Sequence, residues 1–196
     1  KAARLLEMFK EEGLTDCHID EYGNCIGIRK GTGGGKKVLV EGHMDTVFPL
    51  DTKLEIVRED GFIKCPGIVD DTRGCATVLS TIRALNAAGI ETKGDIQFVG
   101  TVQEEGTGAL KGMQYYVNHH PELDASISVD GDGYQEITYE ATGIQTFEVT
   151  FHGIGGHACG AFAKVANPIH AAGRAIAKIA ELRVPKEPMT TFAVTN

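Results

Sequence analysis

The sequence predicts an α/β fold with a largely parallel sheet, on three observations. Short apolar runs occur at "VLV" (38–40), "DIQFVGTVQ" (95–103) and "DASISV" (124–129), with the length and content of buried strands. Segments with helical spacing separate them, which is the pattern of parallel strands joined by crossover helices. The chain has 196 residues and 42% hydrophobic content, enough to fill a core.

Taken in order, residues 1–13 read as an amphipathic helix closed by Gly13. "CHIDEYGNCIGIRKGTGGGKKVLVEG" reads as two strands around a glycine-rich hairpin turn. The "GTGGGKK" within it is not a phosphate loop: the spacing is wrong, no Ser or Thr follows the Lys, and strands lie on both sides. "KLEIVREDGFIKCPG" reads as a hairpin turning at Asp60-Gly61. "TRGCATVLSTIRALNAAG" is a helix stopped by Gly89. The strand at 95–103 follows, then a helix in "TGALKGMQYYVNHH" and the strand "DASISV".

The pattern changes near Thr142-Gly143, so residues 1–142 read as one α/β domain and 143–196 as part of a second. "IQTFEVTFHG" alternates as a half-buried strand does. A helix is expected after Asn167, with Pro168 in its first turn, and "TTFAVTN" starts a further strand. This β-α-β piece is half of a typical small α+β domain, too little to be stable alone.

The net charge of -8 argues against nucleic acid or an anionic membrane as partner. There is neither an apolar run of membrane-spanning length nor a signal-peptide core. The five cysteines are odd in number and form no CxxC pair, so reduced thiols in a cytoplasmic protein are expected, with no metal role.

Four acidic or His clusters fall at comparable places. His43 and Asp45 follow the strand at 38–40, and Asp70-Asp71 precede the helix that starts near Thr72. Glu104-Glu105 follow the strand at 95–103, and Asp130 follows "DASISV". In an open α/β sheet, ligands bind beyond the carboxyl ends of the strands, so all four point to one rim. Taken singly, each has an ordinary explanation: helix capping for the Asp pair, a solvated loop for the Glu pair, turn chemistry for Asp130, a structural role for His43. Their joint occurrence favours a site.

One imidazole with several carboxylates suits zinc, with cobalt or manganese as alternatives. The set is too large for one tetrahedral ion and suits two ions sharing a bridging carboxylate and a water of lowered pKa. One carboxylate of the Glu104-Glu105 pair could bind metal and leave the other as general base. Asp45 is a candidate to orient His43.

"EGHMDTVF", "PGIVDDTRG", "VQEEGTGALKG", "SVDGDG" and "GIGGHA" together resemble a zinc-dependent exopeptidase and deacylase family. That family includes peptidase T, carboxypeptidase G, succinyl-diaminopimelate desuccinylase, acetylornithine deacetylase and aminoacylase. The resemblance implies a zinc-exopeptidase-like catalytic domain carrying an inserted, ferredoxin-like α+β lid that also mediates dimerisation. It implies two zinc ions: His43 and Asp130 on the first, Glu105 on the second, and Asp70 bridging both. Glu104 would be the general base, Asp45 would orient His43, and the Asp70-Asp71 bond would be cis. His157, in "GIGGHA", would reach the site of a partner subunit and stabilise the oxyanion.

This sequence departs from the family pattern in having Thr72-Arg73-Gly74 where Lys-Gly is common. It also ends inside the lid, before a further metal-binding His that the resemblance implies, so a piece of a longer chain is expected. The expected activity is exopeptidase cleavage of short peptides. An N-acyl-amino-acid deacylase is the alternative, and a non-catalytic relative or inactive fragment is a different class. The presence of Glu104 and Asp70 weighs against that last class.

Overall fold

The computed structural model describes residues 1–131, 133 and 135–195. Contacts divide the chain into two units, Lys1–Glu136 and Ile137–Asn196.

The first unit is built on a five-stranded sheet. Its strands are β1 (Thr15–Ile19), β2 (Cys25–Arg29), β3 (Val38–His43), β6 (Ile96–Thr101) and β7 (Ala125–Ser128), in the order β1-β2-β6-β3-β7. A separate hairpin, β4 (Val57–Glu59) with β5 (Phe62–Lys64), turns at Asp60-Gly61 as expected. The sheet is mixed. β6, β3 and β7 run parallel, with Val38 opposite both Ile96 and Ala125. β1 and β2 add to the other edge antiparallel.

Helices cover both faces, and the strand alternation shows why. Leu5 and Phe9 lie four apart on α1 (Ala2–Glu11), and Val78, Leu79 and Ile82 lie on α2 (Arg73–Ala87). They pack with Cys25, Val40 and Phe98 in one cluster. The adjacent residue on each strand, Ile26, Leu39 and Val99, points to the opposite face, against Tyr116 of α3 (Lys111–His119). The phenol of Tyr116 donates to the Gln97 side chain at 2.7 Å, which satisfies both buried groups.

Buried Asn24 ties three segments together. Its Oδ1 accepts from the Val102 amide just past β6, and its Nδ2 donates to Gly112 O in α3 and to Asp20 Oδ2.

Two sequence expectations need correcting. The glycine-rich segment after Arg29 does not close a hairpin, because β6 lies between β2 and β3. The true hairpin is β1 with β2, turning over Asp20–Asn24, where Asp20 Oδ1 accepts from Tyr22, Gly23 and Asn24. In the second unit, neither "IQTFEVTFHG" nor the described part of "TTFAVTN" forms a strand. An alternating segment needs a partner edge to become one. α4 (Pro168–Ala180) does form where expected, with the Asn167 side chain accepting from the His170 amide at 3.1 Å. No described residue of this unit is buried; Ile144, Phe147 and Val149 are exposed.

Among the described residues, no helix is long and apolar enough to cross a membrane.

Candidate active site

Because β3, β6 and β7 are parallel, their carboxyl ends share one edge of the sheet. His43 is the last residue of β3, Glu104 and Glu105 follow β6, and Asp130 follows β7. Asp70 and Asp71 sit in an irregular turn, Ile68–Thr72, directly before α2. Neither has helical dihedrals, and the bond between them is cis, as expected.

His43 is buried, and its Nε2 faces acidic oxygens: Asp70 Oδ1 at 2.9 Å and Glu104 Oε2 at 4.0 Å. Yet neither ring nitrogen makes a hydrogen bond, and buried Glu105 Oε1 has no partner either. The 2.9 Å approach to Asp70 therefore lacks hydrogen-bond alignment. One ligand atom each from His43, Asp70 and Glu105 lies within 4.8 Å of the other two. Leaving a buried polar atom unpaired costs about 1–3 kcal/mol, and a cation shared by these atoms would remove that cost. The residues present thus fit a divalent metal ion of the zinc, cobalt or manganese type.

Asp130 is exposed and is not in that trio. It lines a cavity of about 150 Å³ together with His43, Glu104, Glu41, Thr101 and Ser128. Asp45 lies near His43, its Oδ1 3.6 Å from Nδ1, too far for a hydrogen bond. Its two oxygens instead accept the backbone N–H groups of Glu104 at 3.2 Å and Glu105 at 3.1 Å. Asp45 thereby holds the peptide that carries both glutamates.

The electrostatics are those of crowded acids. Burial raises the Glu104 carboxyl above its ordinary range; His43 opposes this and Glu105, Asp130 and Asp45 add to it. Burial also raises Glu105, with Asp70 the next cause. For His43, burial acts to lower the pKa, but Asp71, Glu104, Asp130 and Asp45 together raise it.

His157 belongs to the second unit, where it is exposed. Its Nδ1 accepts from the backbone N–H of Cys159 at 3.2 Å and of Gly160 at 3.4 Å. That leaves the proton of the neutral ring on Nε2. Asp132, in the same motif as Asp130, lies outside the described residues, as do Tyr134 and Asn196.

Two further acids stand at the site: Asp71, which the sequence offered only as a helix cap, and Glu41, which it did not single out. Asp71 is fully buried, and burial pushes its carboxyl up to about 6. Its Oδ1 accepts from the Gly74 amide in the first turn of α2, so the capping explanation holds for Asp71 rather than Asp70. Glu41 is buried within β3, where its Oε2 accepts from Thr101 Oγ1 at 2.8 Å and its Oε1 accepts from Ser128. An acid inside the apolar run "VLVEGH" was the available signal.

A model of the family described as peptidase family M20/M25/M40 matches residues 39–195. Succinyl-diaminopimelate desuccinylase of Corynebacterium glutamicum is 29% identical over 160 residues, 80% of this chain and 42% of that protein. Carboxypeptidase G2 of Pseudomonas sp. is 28% identical over 138 residues, covering 69% of this chain and 33% of its own. Among solved structures, aminopeptidase PepT of Bacillus cereus superposes with a TM-score of 0.55 at 24% identity, over 90% of this chain and 50% of that one. The chain thus spans half or less of the length of these relatives.

Proposed function

Because the chain belongs to peptidase family M20/M25/M40, we propose that it is the metal-binding part of a hydrolase that cleaves amide bonds of short peptides. The observation that carries this is the meeting of His43, Asp70 and Glu105 ligand atoms within 4.8 Å, with the Glu104 carboxylate 4.0 Å from His43 Nε2.

In this reading two zinc ions are held, with cobalt or manganese able to replace them. His43, Asp70, Glu105 and Asp130 would hold them, the first three offering the clustered ligand atoms. When bound, such ions polarise the amide carbonyl and make water a competent nucleophile at neutral pH. Glu104 then takes a proton from the attacking water onto its carboxylate and delivers it to the leaving amine. Its raised pKa suits both halves of that task. Asp45 holds Glu104 and Glu105 in place through their amides. Residues 1–142 form the catalytic domain, and residues 143–196 belong to a lid through which two copies pair. His157 of a second copy donates from Nε2 to the developing oxyanion, a role supported by its engaged Nδ1. A cytoplasmic location is consistent with five free cysteines.

A deacylase acting on N-acyl amino acids is the second reading, favoured by the desuccinylase relative. A panel of dipeptides, tripeptides and N-acylated amino acids, assayed with zinc, cobalt and manganese, separates the two. Turnover of unblocked peptides supports the peptidase, and turnover confined to acylated amino acids supports the deacylase. Failure to bind any of the three metals would overturn both.

A further inference from the structure

We propose that Asp71 is a positioning residue that sets the spacing between His43 and Asp70, an inference that rests on the metal-centre reading above. Asp71 is fully buried and is not in the group formed by His43, Asp70 and Glu105. Its Oδ2 accepts the backbone N–H of His43 at 3.0 Å, and its Oδ1 accepts that of Gly74 at 2.8 Å. One carboxylate therefore ties the end of β3 to the start of α2. Asp70 is the adjacent residue, so the same tie fixes where Asp70 stands against the His43 ring.

Two further features belong to this arrangement. The Cys75 thiol donates to the His43 carbonyl at 3.3 Å. Both polar backbone groups of His43 are thus held by the segment that follows Asp70. The carboxylate also lies in a cradle that only glycines leave open. A Cβ on Gly42 would stand 2.9 Å from Asp71 Oδ2, and one on Gly74 would stand 2.0 Å from Oδ1. A helix cap alone needs the bond to Gly74. It needs neither the bond to the His43 amide nor the close approach of Gly42.

The test measures zinc affinity by competition with a chromophoric chelator, the visible absorption of the cobalt-loaded protein, and unfolding of the metal-stripped protein. Asp71→Asn keeps the size but turns an amino group toward one of the two N–H donors. The expected result is a roughly 10–100-fold loss of zinc affinity with an altered cobalt band, in a stripped protein that still unfolds cooperatively. Unchanged affinity and an unchanged band, with only a lower unfolding midpoint, would reduce Asp71 to a cap and overturn the proposal. If Asp71→Asn does not fold, Gly42→Ala displaces the carboxylate without removing its charge. Weakened zinc binding is then expected, and wild-type binding overturns the proposal. Asp70→Ala separates this from the underlying reading. If it binds metal as the wild type does, the metal centre itself is misassigned.

Discussion

Glu104 and Glu105 are neighbours in the chain, but the fold treats them differently. Glu105 contributes a ligand atom to the trio, while Glu104 stands 4.0 Å from His43 Nε2, outside it. Glu104→Gln is therefore expected to keep its metal and lose about 10²–10⁴-fold in turnover, checked by elemental analysis beside a peptide assay. Asp70→Ala should instead lose metal. The titrating groups give a further expectation for the metal-free protein. The Asp71 carboxyl lies at about 6 when folded against an ordinary 3.8, so between those values the folded state binds more protons and stability falls as pH rises. Glu104 and Glu105 are raised and act in the same direction. The raised His43 also agrees, since its contribution is present below 6.5 and is lost as pH rises through the folded value. Asp95 and Glu122 are lowered, but their stabilising effect is complete above their ordinary values of 3.8 and 4.5. Denaturant unfolding of stripped protein should show lower stability near pH 7.5 than near pH 5; a rise over that range would contradict these environments. The rim that gathers His43, Asp70 and Glu105 was legible because parallel strands end there, though the residue types alone left open which of Glu104 and Glu105 joins the group. The bonds of Asp71 were not legible, because a buried acid bonded to backbone looks in sequence like any cap.

At the level of elements, local pattern and partner choice separate. α1, α2 and α4 formed where apolar spacing and terminal Gly13, Gly89 and Asn167-Pro168 placed them. Helices satisfy their own backbones, so their limits are written locally. Strand pairing is not local. β2 and β3 read as a hairpin, yet β6 from far along the chain pairs with both. The same physics explains residues 144–153, whose alternation calls for a strand but which pair with no described edge. Asn24 shows how a single side chain can join elements. Its bonds to Val102, Gly112 and Asp20 hold the β1–β2 turn against the segment leading to Glu104. Asn24→Ala leaves a buried amide and carbonyl without these partners. It is expected to destabilise the protein by about 1–3 kcal/mol in equilibrium unfolding, and a change below measurement error would show that water replaces the bonds.

For the molecule as a whole, metal and fold should be linked by mass action. If the site forms only in the folded state, zinc at a hundred times its dissociation constant adds about 2.7 kcal/mol of stability. Scanning calorimetry with and without chelator checks this, and an unchanged midpoint would mean that the stripped site binds nothing. The order of assembly follows from the parallel pairing. Val38 meets Ile96 and Ala125, so the edge carrying His43, Glu105 and Asp130 exists only after long stretches of chain have been brought together. Closing such loops is entropically costly, and topologies rich in distant pairings fold slowly. On the proposed ligand set, a metal ion added to the unfolded chain meets these residues scattered and does not act as a nucleus. In a refolding experiment, metal uptake should coincide with the last kinetic phase, so the ion serves as a reporter of finished topology.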